Sequence, residues 1–160
     1  MYTLSDDLKE KILGCLKPNE RILLFLGWRY IKMVSRRCKA NNASPEITDV
    51  LDNCVDMLEQ INEYERGQDV PYSTFYSFLV TIKNKVKVFF DGEDDIKIDL
   101  PEKLVEEVRS SMSLKDIEHL GDSVTRLLRV SIICDFYGLN PEVTETFRNA
   151  ASLVSQFYYH

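Results

Sequence analysis

Two stripes at helical spacing run along opposite sides of residues 44–67, SPEITDVLDNCVDMLEQINEYERG, and no other stretch restricts the fold as strongly. Ile47, Val50, Leu51, Cys54, Leu58 and Ile61 recur at steps of three and four, which winds them onto one apolar face of an α-helix. Asp49, Asp52, Asp56, Glu59 and Glu63 recur at the same steps on the far side. One face therefore requires a core, and the other presents a row of carboxylates. Ser44 suits an N-cap and Pro45 the first helical position, and Gly67 can take the left-handed conformation that closes a helix.

The flanking segments repeat the helical pattern. Ser5 caps an expected helix over residues 6–15, with Leu8, Ile12 and Leu16 along one side. Pro18 opens a long helix, PNERILLFLGWRYIKMVSRRCKA, whose apolar first half reads as buried and whose second half, carrying Arg29, Lys32, Arg36, Arg37 and Lys39, reads as solvated. Cations near a helix C-terminus complement its dipole, so that basic end is expected to serve helix stability first, with a phosphate-binding patch as the alternative. From Ser73 the run STFYSFLVTIKNKVKVFF places Phe75, Phe78, Leu79, Ile82, Val86 and Phe89 at helical steps. Residues 85–89 also alternate like a strand, so a minor extended segment near 85–100 is allowed for. Those aromatic rings are expected in the core.

Further on, Pro101 is expected at the first position of a helix holding Leu104, Val105 and Val108 inward. Ser113 caps another, within which Gly121 is a candidate bend and which Gly138 ends, and Asn140 with Pro141 starts the last. This pattern predicts an all-α fold, a bundle of six or seven helices forming one domain over residues 1–160. A chain of 160 residues with 44% hydrophobic content is large enough for one core and too small for two independent ones.

Motifs that would announce chemistry are missing. The sequence holds no G-x-S-x-G, G-x-G-x-x-G, P-loop or H-E-x-x-H pattern, and His119 is its one internal histidine. The reading is accordingly not an enzyme, with no cofactor and no metal. Cys15, Cys38, Cys54 and Cys134 are widely spaced without a C-x-x-C pair, and read as buried thiols rather than zinc ligands. Asp91, Glu93, Asp95 and Glu102 fall at EF-hand positions, but Ile96 stands where the loop needs glycine. The acidic start, MYTLSDDLKEK, does not resemble a secretory signal, and residues 22–28 are far short of the ~20 that span a bilayer. A cytoplasmic, soluble protein is expected.

Charge layout carries more than motif content. The formal net charge is −6, yet residues 1–40 hold nine basic against four acidic side chains, while residues 41–70 hold eight acidic against one basic. A second acidic patch, Asp91, Glu93, Asp94, Asp95 and Asp99, follows. Clustered carboxylates on a stiff helix steer and hold a cationic partner, so the partner-binding residues are read as Asp49, Asp52, Asp56, Glu59 and Glu63 together with that patch. The expected partner is a basic protein, with neither nucleic acid nor membrane. In size, acidity and freedom from motifs the chain is similar in type to bacterial immunity proteins, without a family signature behind the likeness. That implies a non-catalytic module neutralising a nuclease toxin, its carboxylates standing in for substrate phosphates. The alternative is a helical adaptor that takes a partner helix in an apolar groove near Phe75, Tyr76 and Phe78, and a third reading is an enzyme with carboxylates converging between helices.

Overall fold

The computed structural model describes residues 2–90, 98–138 and 140–159, with the backbone alone over 83–90. Seven helices and no strand are found among the described residues: α1 (Asp6–Gly14), α2 (Pro18–Ala40), α3 (Pro45–Gly67), α4 (Thr74–Phe90), α5 (Glu102–Ser110), α6 (Leu114–Phe136) and α7 (Pro141–Tyr158). The expected all-α bundle is therefore observed. The helix continues through residues 85–90, where alternation had allowed a strand.

Helix ends follow side-chain chemistry. Ser5 accepts from the Leu8 amide, Ser113 from Asp116 and Asn140 from Glu142, which gives otherwise orphaned first-turn amides an acceptor. Gly138, at φ +59°, turns the chain between α6 and α7 where a Cβ would be strained. Gly67 behaves otherwise: it is the last residue of α3, and Gln68 leaves in extended conformation. Pro101 stands just outside α5, whose first residue is Glu102.

The stripe of α3 is the centre of the core. Leu51, Cys54, Leu58 and Ile61 have no solvent exposure and Ile47 retains 3%, each such aliphatic side chain contributing about 1.5–3 kcal/mol by leaving water. Val55 and Met57 join them. Around this seam α3 packs on α2, α7 and α1, while α6 packs against α2 and α7. Helices α2 and α6 run antiparallel, Glu20 meeting Arg129 at one end and Tyr30 stacking on His119 further along. Gly121 does not divide α6, which runs unbroken from Leu114 to Phe136. The Tyr158 ring lies where a Cβ at Gly121 would stand, 2.8 Å away, so the glycine is a seat for the end of α7.

Three polar devices tie down what the helices do not. Arg21, 9% exposed, donates from Nη2 and Nε to Leu13 O (2.6 and 2.9 Å), from Nε to Leu16 O (3.0 Å) and from Nη1 to Val70 O (2.7 Å). It thereby serves carbonyls at the end of α1 and in the loop before α4. Gln60 holds the N-terminal segment, accepting from Leu4 N and donating to Tyr2 O. Gln156 holds residues 98–100 in the same way, accepting from Leu100 N and donating to Ile98 O.

Two expectations about burial fail, for related reasons. The start of α2 is not buried all round: Arg21 faces inward to reach its carbonyls, which leaves Ile22 64% exposed and Phe25 39% exposed. The aromatic run of α4 is also mostly outside the core, with Phe75 65%, Phe78 60%, Ile82 46% and Tyr76 41% exposed. Ser77 and Val80 point inward instead, Ser77 Oγ accepting from Arg129 Nη2 at 3.2 Å. A polar anchor on α6 therefore selects the inward face of α4 against the larger rings.

Replacing Arg21 by Met would take the donor from Leu16 O and Val70 O and leave Leu13 O to the Leu16 amide alone, and the expected loss in urea unfolding is about 3 kcal/mol. Gly27→Ala should move stability the other way, by about 0.5–1 kcal/mol, because its Cβ would meet Ser123 at an ordinary 3.6 Å.

Candidate docking face on α3

The acidic stripe lies opposite the buried stripe because both repeat with the turn of a single helix. Asp49 and Glu63 are exposed, and Asp52, Asp56 and Glu59 are partly covered. Between Asp49 and Glu63 the helix advances about 21 Å. Asp52 differs from the other four. Its Oδ2 is 2.7 Å from Lys39 Nζ and its Oδ1 accepts from Ser35 Oγ at 2.6 Å. That carboxylate closes the joint between α2 and α3, and is already neutralised by its own chain.

Asp49, Asp56, Glu59 and Glu63 have no cation within ion-pair distance among the described residues. The face they share stays anionic for that reason. Past Glu63, Tyr64 extends the polar surface toward α1, donating to Glu10 Oε1 at 2.6 Å. The bond to Glu10 holds the phenol protonated and pushes its pKa up to about 12. Of the second patch, Asp99 is exposed on the segment held by Gln156. Asp91, Glu93, Asp94 and Asp95 lie outside the described residues, as do three of the four EF-hand positions.

The four cysteines are all buried with free thiols. Desolvation raises each of them, Cys38 to about 11 and Cys134 to about 12. A raised thiol is protonated at neutral pH, and the thiolate is the nucleophilic form. His119 is partly covered with its ring stacked on Tyr30 at 4.8 Å, and α6 turns the hydroxyl of Ser123 back on His119 O. Among the described residues no group of three His, Cys, Asp or Glu side chains could hold a metal ion, and no helix is long and apolar enough to cross a membrane.

One feature of the surface was marked in the sequence by its charge and not by its shape. The outer face of α2, with Asp116 at the start of α6, bounds a groove of about 740 Å³ into which Arg29, Lys32, Arg36 and Arg37 contribute. The spacing of those cations was legible as a basic helix end, but the concavity depends on where α6 begins.

Family models, curated proteins and solved structures give no match to this chain. Function is therefore read from geometry alone.

A thiol reagent at pH 8 should label none of the four cysteines in the folded protein and all four in urea. Labelling of the native state would place a thiol nearer to solvent than the core described above.

Proposed function

We propose that the chain is a non-catalytic binding module that presents the outer face of α3 to a cationic protein. The observation that carries this reading is the row Asp49, Asp56, Glu59 and Glu63, left without an ion-pair partner among the described residues on a helix whose other side is sealed in the core. Such a row costs self-repulsion in the free protein, and a basic surface relieves it on contact. A helix already fixed by packing loses little further freedom on binding, so less of the electrostatic gain is offset.

In its most concrete form the module is an immunity protein or antitoxin, acting in the cytoplasm, whose carboxylates occupy the phosphate-binding cleft of a nuclease toxin. The chain's net charge of −6 would speed encounter with such a cleft. Nucleic acid and membrane are not the partners of the α3 face in this reading, because both carry the wrong charge.

One observation favours a second reading. Phe75, Phe78 and Ile82 of α4 are 46–65% exposed, which suits an adaptor that docks a partner helix by apolar contact. Salt separates the two. At about 1 M salt the screening length falls to about 3 Å, which dissolves an electrostatic complex and spares an apolar one.

The test is charge reversal at the two exposed ends of the stripe, Asp49→Lys with Glu63→Lys. Circular dichroism and thermal stability should stay close to wild type, while association with the basic partner slows by roughly tenfold or more and its dependence on salt flattens. A partner bound as fast by the double variant, and still bound at high salt, would move the interface to α4.

A further inference from the structure

Several cations are held by groups of their own chain. Arg21 serves three backbone carbonyls, Arg109 donates to Phe157 O, Lys39 pairs with Asp52, and Arg129 is held by Glu20 at 3.1 Å and donates to Cys15 O. Their charge is spent inside the fold. Arg29 and Arg36 have neither a carboxylate within ion-pair distance nor a hydrogen-bond acceptor among the described residues. Arg37 reaches Ser111 O at a long 3.4 Å, and Lys32 Nζ lies 5.0 Å from the centre of the Trp28 ring. Arg29, Lys32, Arg36 and Arg37 face one groove of about 740 Å³ along the outer side of α2.

Helix stability does not account for them. The dipole favours cations within the last turn, which covers Arg37 and serves Arg36 weakly. Arg29 and Lys32 stand well before the end of α2 at Ala40. Lys32 and Arg36 are also like charges four apart, and Arg29 and Lys32 three apart, spacings that disfavour the helix. An arrangement that repels itself and is left unneutralised beside a cavity is suited to an external anion.

We infer that this groove binds a compact ligand carrying several phosphate groups. Arg29 and Arg36 are two turns apart, about 10 Å along the axis, which spans more than a single phosphate. Their guanidinium forks match phosphate oxygens, and Lys32 between them supplies a point charge. The indole at the groove's end is committed to neighbours, Phe25 at 5.6 Å between ring centres and Lys32 above, so recognition rests on phosphate rather than on stacking a base. Asp116 sets one boundary: it is a carboxylate in the lining, fixed there because it accepts from the Ser113 amide at the start of α6. The site is separate from the α3 face and does not depend on the reading given for it.

The test titrates the full chain with inorganic tripolyphosphate at low salt, followed by calorimetry and by amide chemical shifts. Saturable binding is expected, with shifts centred on residues 28–40 and 116, weakening steeply as salt rises. Arg29→Gln with Arg36→Gln should weaken it by roughly tenfold or more while the thermal midpoint without ligand stays the same or rises. Asp116→Asn should tighten it. Orthophosphate should bind far more weakly than tripolyphosphate. The inference is overturned if no saturation occurs, if the shifts map elsewhere, or if the double variant binds equally well. It also falls if single-stranded oligonucleotides bind more tightly than tripolyphosphate with affinity rising with length, since the groove would then belong to a nucleic-acid track.

Discussion

Burial of the apolar stripe of α3 is the interaction on which the rest of this fold depends. Ile47, Leu51, Cys54, Leu58 and Ile61 fill the space between α1, α2 and α7, and their removal from water fixes the rotation of the helix about its axis. Because side chains on a helix are locked in angle to one another, that rotation also fixes where every carboxylate of the opposite stripe points. Core packing and display of charge are thus one constraint. A change that turned α3 by a third of a turn would expose leucine and bury aspartate, each at a cost comparable to a large part of a domain's net stability.

A second level of organisation is polar. Arg21, Arg129, Gln60 and Gln156 each bond the backbone of a segment distant in sequence, and so hold loops and short ends that have little apolar surface of their own. Buried carbonyls left without donors are expensive, and one guanidinium with several forked N–H groups meets several of them at once. Arg21 and Arg129 also decide which faces their neighbours turn inward. They explain why Ile22, Phe75 and Phe78 sit in solvent while an arginine and a serine do not.

The same facts say what could be read from the residues alone. Helix positions and the burial of α3, α5 and α7 followed from periodicity, since Ile47 to Ile61, Leu104 to Val108 and Val143 to Phe157 are regular enough to leave one solution. The faces of α2 and α4 did not, because their apolar residues run nearly all round, and the choice is made by partners far away in sequence, Val70 O for Arg21 on α2 and Arg129 of α6 for Ser77 on α4. The acidic stripe was legible as a stripe. That Asp52 belongs to the α2 joint was not, because Lys39 and Ser35 become its partners only through the packing of the two helices. The basic groove was visible as charge and invisible as shape, since Asp116 reaches its edge from another helix.

Charge on this surface is therefore divided between neighbouring helices, anionic on α3 and cationic on α2, with Lys39 and Asp52 at the boundary. Docking of the anionic half on a cationic protein is open to a direct test by carboxylate labelling. Carbodiimide coupling of an amine to accessible acids, measured by peptide mass spectrometry with the protein free and then in complex with a basic protein that binds it, reports each stripe residue separately. Protection of Asp49, Asp56, Glu59 and Glu63 in the complex is the expected result. Unchanged labelling of all four, with protection confined to the surface around α4, would contradict it.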